Sequence, residues 1–395
     1  MRIAQIAPLV EPVPPELYGG TERVVSLLTE ELVRRGHEVT LFASGDSDTD
    51  ARLVSVTRES LRLAPEDVDP NLYLMLELGL VFERAHMFDV IHSHVDYFAL
   101  PMARLVKTPV VTTLHGRLDL PGLQTIYGRY DQAPLISISD SQREPLPGVN
   151  WAATVYNGTD LERFTFNDKA GECFVFVGRI CPEKNIEGAI AIARRTGVPL
   201  RIAAKVDPVD VEYHESVIKP LIDGRQVEYL GELGDVEKEE LLGSARALLF
   251  PVDWPEPFGL AMTEAMACGT PVLALQRGSV SEVVEDGITG FVRDSEDELS
   301  DVVDEVAALS RRACRERVER LFSVEVMTDG YENRVQVTSD VRVGNSVTAL
   351  ATPMTCAAGG QPLDWGARYP DEQLFECQTD ARWRRMNGGR WSRAS

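Results

Sequence analysis

The sequence predicts an α/β protein of two consecutive doubly wound domains, each built on a mostly parallel sheet, that face each other across a cleft. Short β-branched runs alternate with helical patterns from the first residues onward, the rhythm of βαβ units. That rhythm pauses in the polar stretch 157–169 and then restarts, which places a hinge between two domains. A length of 395 residues also exceeds one domain at roughly 100–200 residues each.

In chain order, 3–8 reads as a strand, 20–35 as a helix and 38–43 as the next strand. Val24, Val25, Leu27, Leu28, Leu32 and Val33 keep an apolar stripe along the helix, and Gly36 supplies its stop. Strand candidates follow at 90–94, 110–115, 135–139 and 153–156. After the pause they resume at 173–177, 200–204, 227–230, 247–251 and 271–274, with helical segments near 184–196, 211–222, 235–244 and 259–267. Residues 311–320 and 324–337 read as terminal helices. The expected organisation is a first domain over 1–157, a second over 158–320, a terminal helix over 321–337 packing back on the first domain, and a tail over 338–395. That tail holds seven Leu, Ile, Val or Phe residues in its 58 positions, too few for a core. It is expected to be poorly ordered, with Trp365, Trp383 and Trp391 leaving room for a docking segment.

With 44% hydrophobic and 26% charged residues, the composition is that of a globular protein. The 62 acidic side chains outnumber 40 basic ones, for a net charge of −22. A surface of that sign repels nucleic acid and anionic lipid, so neither is an expected partner. No run approaches 18 apolar residues, so no membrane span is expected. The N-terminus is too short and too proline-broken for a signal peptide, and the six cysteines are scattered without a CxxC pair. Both point to the cytoplasm.

Three stretches can carry chemistry. Tyr18-Gly19-Gly20-Thr21-Glu22 lies between a strand and a helix. Its glycines admit close backbone approach and the helix start favours an anion, though an ordinary tight βα turn has the same composition. The second domain opens with Val177-Gly178-Arg179 and reaches Lys184 as the next helix begins. Two cations there suit a diphosphate, or the lysine is a solvated helix-start residue; with 34 arginines to six lysines in the chain, a lysine is notable. In Pro251–Val272, Glu256 lies on a proline-braced loop and Glu264 about a turn into the following helix. The backbone N–H groups of Phe258, Gly259 and Leu260 between them offer a place for a phosphate or a sugar hydroxyl.

Glu256 and Glu264 form an E-x7-E pattern. With the preceding Gly178-Arg179 and Lys184 and the following Gly278-Ser279-Val280-Ser281-Glu282, Asp286-Gly287 and Gly290-Phe291, the chain resembles the family 4 retaining glycosyltransferases of the GT-B fold over residues 1 to about 337. The resemblance implies that Arg179 and Lys184 hold the diphosphate of a nucleotide-sugar donor, with Gly178 at the strand end, that Glu264 grips the ribose hydroxyls and that Glu256 contacts the donor sugar. It implies that His115 faces the transferred sugar, that Gly19 and Gly20 approach the phosphates and the acceptor, and that Asn157-Gly158-Thr159-Asp160 with Phe164 is the hinge. The catalytic set is thus His115, Arg179, Lys184 and Glu256, with no metal and no resident cofactor; a UDP-, GDP- or dTDP-sugar is the substrate. The first domain is similar to transferases that build oligosaccharide antibiotics of the avilamycin type.

Two positions depart from the family pattern. Ala203-Ala204-Lys205-Val206 replaces a glycine-rich strand end, which is expected to narrow the base pocket, and Gly278-Ser279 replaces a Gly-Gly pair, which is expected to alter the donor-sugar pocket. Segments 115–121 and 127–132 are expected to line the acceptor side. The acceptor is expected to be a soluble small molecule or oligosaccharide.

In such a site negative charge builds on the leaving diphosphate, where fixed cations are worth most in the transition state. Front-face attack by the acceptor hydroxyl, with the leaving phosphate as base, is the favoured route; a double displacement would need a carboxylate nucleophile, for which Glu256 is the candidate. Other readings are a sugar-nucleotide epimerase or phosphorylase of the same fold and a non-catalytic sugar-nucleotide sensor. His92 and His94 share a strand face without a third ligand at metal spacing. Asp253 and Trp254 either touch a sugar or brace the Glu256 loop, 140–143 is either an acceptor contact or a helix cap, and Cys268 reads as packing.

Overall fold

A computed structural model describes residues 1–64 and 68–333 and the strands Trp383–Arg385 and Trp391–Arg393. Two parallel sheets organise the first 333 residues. The first contains β1 (Arg2–Ile6), β2 (Glu38–Phe42), β3 (Arg52–Val54), β4 (Val90–Ser93), β5 (Val110–Leu114), β6 (Leu135–Ser137) and β7 (Trp151–Thr154), in the order β3-β2-β1-β4-β5-β6-β7. The second contains β8 (Phe174–Arg179), β9 (Leu200–Lys205), β10 (Val227–Gly231), β11 (Ala247–Phe250), β12 (Val272–Leu275) and β13 (Gly290–Arg293), in the order β10-β9-β8-β11-β12-β13. Inner strands such as β4 and β11 are buried at every position, as strands covered on both faces must be. The strand order reverses between β1 and β4 and between β8 and β11. At such switch points the carboxyl ends of open sheets leave a crevice for ligand.

Helices α1 (Gly20–Arg34), α2 (Pro70–Glu83), α3 (Ile186–Thr196), α4 (Asp235–Gly243), α5 (Leu260–Ala267) and α6 (Arg311–Leu321) cover the sheets. A further helix occupies residues 324–333 and buries Met327 and Tyr331 against Ile3, Val24 and Leu28. The chain crosses between the sheets twice, and the crossings touch: Thr159 donates its N–H to Phe322 O at 2.7 Å. A Cβ on Gly158 would lie 2.9 Å from Val324 Cα, so that position must be glycine for the crossings to run side by side.

Helix α2, β3 and β13 are absent from the sequence reading. Helix α2 is apolar on nearly every face (Asn-Leu-Tyr-Leu-Met-Leu-Glu-Leu) and so carries no 3.6-residue stripe to read; its start is signalled only by Pro70 and by Asp69, whose carboxylate accepts the Asn71 N–H at 2.9 Å. The single helix expected over 211–222 is instead a short α-turn (Val211–Tyr213), a π-turn (His214–Ile218) and a 3₁₀ turn (Lys219–Leu221). Pro220 supplies no N–H and cannot sit in an uninterrupted α-helix. In the tail, Trp383–Arg385 pairs antiparallel with Trp391–Arg393; the remainder of 338–395, and with it the expectation of poor order there, lies outside the described residues.

Glu77 on α2 is buried, and neither carboxylate oxygen has a hydrogen-bond partner among the described residues. Burial holds its carboxyl well above the usual range. The folded chain therefore keeps a proton that the unfolded chain releases above about pH 4.3, so stability is full below that pH and falls as pH rises. Glu77→Gln removes the linkage. Its midpoint of urea unfolding is expected to exceed that of the parent chain at pH 8 by clearly more than at pH 5; the same shift at both values would contradict this.

Candidate functional site

The carboxyl ends of β1, β5, β8, β9 and β11, with the first turns of α1 and α5, enclose a cavity of about 560 Å³ between the domains. It brings together the expected catalytic and donor-binding sets: His115, Arg179, Lys184, Glu256, Gly19, Gly20, Gly178, Phe258, Gly259, Leu260 and Glu264 all line it.

Lys184 and Glu256 meet at its centre, the Lys184 ammonium donating to Glu256 Oε2 at 2.5 Å. The Trp254 indole N–H donates to the same oxygen at 2.9 Å, so Trp254 braces the Glu256 loop. Burial opposes the charge on Lys184, but Glu256 and the Tyr18 phenol outweigh it and hold the ammonium above its ordinary value. Arg179 reaches Asp207 at 3.3 Å, while its Nε is buried with no partner, a donor left for an acceptor the protein does not supply. Glu264 receives the Lys238 ammonium at 2.8 Å; burial lowers that lysine.

Local backbone geometry explains the glycines. Gly259, at φ +82°, ends the loop before α5, and a Cβ there would lie 2.7 Å from Met262 Cε. A Cβ on Gly19 would lie 2.7 Å from Pro15 Cβ. Gly278 has φ +53°, and its Cβ would lie 2.4 Å from both N and O of Glu256. Ser279 is buried, donating its N–H to Glu256 O at 2.9 Å and its hydroxyl to Phe258 O at 3.0 Å. The Gly278-Ser279 pair therefore lies behind the Glu256 loop and holds it from outside the cavity, so any effect it has on a donor-sugar pocket runs through that loop. Ala203 and Ala204 do line the cavity.

On the first domain, His115 pairs with His94 (Nε2 to Nδ1, 2.9 Å), and His94 with Gln5 Oε1 at 2.8 Å. His92 pairs with Thr113 Oγ1 at 2.8 Å. Burial pushes His115 down to about 4 and His92 to about 3, and holds His94 well below its ordinary value, so all three rings are neutral at pH 7. Among the described residues no group of three or more His, Cys, Asp or Glu side chains is placed to hold a metal ion.

Residues 159–320 match the model described as glycosyl transferases group 1, and residues 18–163 the model described as glycosyltransferase family 4. The chain belongs to the GT-B glycosyltransferases. A glycogen synthase of Mycobacterium tuberculosis is 28% identical over 370 residues, covering 78% of this chain and 88% of that protein. The crystal structure of AviGT4, a glycosyltransferase involved in avilamycin A biosynthesis, superposes with a TM-score of 0.69 at 22% identity, over 87% of this chain and 98% of that one. The Anabaena protein HepE, solved with UDP and glucose, gives 0.66 at 18% identity, over 85% and 100%. Among the described residues of the transferase, no helix is long and apolar enough to cross a membrane.

Four further cavity residues of the transferase carry no role in the sequence motifs: Tyr18 and Lys205, which stand inside quoted stretches, and Glu232 and Lys238, which stand outside them. One signal could have found two of them. Of six lysines in the chain, Lys184, Lys205 and Lys238 all line this cavity, each held by a carboxylate; Lys205 takes Asp207 at 2.9 Å. Contacts also bind the two domains across the cleft. The Tyr18 N–H and the Arg62 guanidinium both donate to Glu232, at 3.0 and 2.8 Å. Arg117 joins Glu183 and lies 5.2 Å above the Trp254 ring. The backbone N–H groups of Asp140 and Ser141 hold Glu282 at 2.7 and 2.8 Å, so this turn serves as a domain contact. Of 115–121, His115 lines the cavity whereas Leu118 is core, and Tyr127 is buried with Leu114 and Leu118. No residue of 127–132 lines this cavity. Asp253 pairs with Arg277 at 3.0 Å, and Cys268 is buried in the second-domain core.

Proposed function

We propose that this glycosyltransferase is a retaining, metal-independent enzyme that moves a sugar from a nucleoside diphosphate sugar to a hydroxyl of a soluble small-molecule or oligosaccharide acceptor in the cytoplasm. The observation that carries the reading is the convergence, in one cavity, of the buried unpartnered Arg179 Nε and the Lys184 ammonium with the Glu256 and Glu264 carboxylates. Arg179 and Lys184 meet the leaving diphosphate, Glu264 meets ribose hydroxyls, and Glu256 and the neutral His115 face the sugar. Donor entry divides the Lys184–Glu256 pair: the ammonium turns to phosphate and the carboxylate to sugar hydroxyls.

In the transfer step the acceptor oxygen bonds to the anomeric carbon from the side on which the carbon–phosphate oxygen bond breaks. The acceptor proton passes to the departing phosphate oxygen, and the charge gathering there is met by Arg179 and Lys184. The UDP and glucose named for HepE support a nucleotide donor, and the avilamycin role named for AviGT4 supports an antibiotic-building context. The test is incubation of the chain, with and without EDTA, with UDP-, GDP- and dTDP-sugars, reading donor hydrolysis and then the anomeric configuration of product by NMR. Turnover of one donor class with retained configuration and no EDTA effect is expected. No response to any donor by a folded chain would overturn the reading.

A further inference from the structure

We propose that Tyr18 is the first domain's own contribution to the diphosphate site: its phenol hydroxyl donates a hydrogen bond to a phosphate oxygen of the leaving group that Arg179 and Lys184 hold from the second domain. This rests on the nucleotide-sugar reading above and adds a catalytic residue to it.

Tyr18 immediately precedes Gly19-Gly20 and lines the cavity with Arg179, Lys184 and Lys205. The residue is about 39% exposed, and its ring lies 5.4 Å below the Lys205 ammonium. Its phenol is close enough to Lys184, Glu256 and Arg179 for their charges to act on it. No hydrogen bond is made by its hydroxyl among the described residues, although the Leu17–Tyr18 peptide that leads into it is held at both of its polar groups. The Tyr18 N–H is anchored on Glu232 of the second domain at 3.0 Å, and the preceding Leu17 carbonyl accepts from Arg23 at 3.1 Å. A pinned aromatic residue with a free hydroxyl, set among three cations, is arranged to give that hydroxyl to an anion bound by those cations. Loss of water around its hydroxyl inside the cleft raises the phenol further above neutral pH, so it stays protonated, as a donor must be. Because its backbone anchor is on the opposite domain, Tyr18 reaches the phosphates only while the cleft is closed, so the leaving group is gripped from both sides in the state that reacts.

The test is Tyr18→Phe in the full chain, which keeps the ring under Lys205 and deletes the hydroxyl alone. Calorimetric titrations use inorganic pyrophosphate, which needs no base pocket, and UDP, GDP and dTDP. A hydrogen bond to a charged group is worth about tenfold or more in affinity, so pyrophosphate and whichever nucleotide binds the parent chain are expected to bind Tyr18→Phe at least about tenfold more weakly, at an unchanged thermal midpoint. Affinities within twofold of the parent would overturn the role of Tyr18 and leave the nucleotide reading standing. Failure of the parent chain to bind any of the four would overturn the nucleotide reading itself.

Discussion

Lys184→Met is expected to lower sugar transfer by about 10²–10³-fold, the loss that follows removal of one preorganised charge from a developing anion. Methionine keeps most of the side-chain stem, so the change isolates the ammonium. That ammonium is deeply enclosed: it donates to Glu256 at 2.5 Å and lies 5.1 Å from the Trp254 ring and 5.7 Å from the Phe250 ring. Lys184→Arg is expected to restore little, because a planar guanidinium does not fit where a compact point charge sits between two rings and a carboxylate. The check is the initial rate at saturating donor for Lys184→Met, Glu256→Gln and the double variant. The residues contact each other, so the double variant should lose less than the two single losses combined. A Lys184→Met enzyme within tenfold of the parent would remove Lys184 from the leaving-group site.

Gly278→Ala is expected to cost about 2–4 kcal/mol of stability and to lower transfer as well, although residue 278 does not line the cavity. Two effects combine. The positive φ alone costs an alanine about 1–2 kcal/mol, and the new Cβ would sit 2.4 Å from the N and O atoms of Glu256. Those atoms are backbone, so relief comes only by moving the loop that carries the Glu256 carboxylate. Gly287 is the control: its φ is +73°, but nothing lies within 4 Å of a Cβ there. Gly287→Ala is therefore expected to show the conformational cost alone, with transfer intact. Urea unfolding of both variants, with rates measured beside it, decides the matter, and equal effects at the two positions would remove the packing explanation.

The fold was legible in the sequence because parallel strands buried on both faces must be short apolar runs, and the turns that end them must use glycine, proline and helix caps. The site motifs were legible for the same reason, since they occupy the loops at the strands' carboxyl ends. Helix α2 was hidden because an apolar residue at nearly every position leaves no period to detect. Tyr18 and Lys205 stand in stretches the sequence singles out, but their roles, like Glu232 and Lys238 themselves, were hidden because the partners lie far along the chain: Tyr18 and Glu232 meet each other, Lys205 meets Glu11 and Lys238 meets Glu264. Only the scarcity of lysine pointed toward two of them.

The sequence by itself determined a two-domain α/β chain and the loops where its chemistry gathers, because hydrophobic period, turn residues and local charge act over a few neighbouring positions. The tertiary structure alone decided what those loops do to one another: that Lys184 holds Glu256, that Ser279 braces the loop from behind, that Tyr127 is core, and that Tyr18 crosses to the second domain. Such pairings depend on sheet order and domain closure, which set Tyr18 against Glu232, 214 residues away, and which no local pattern encodes.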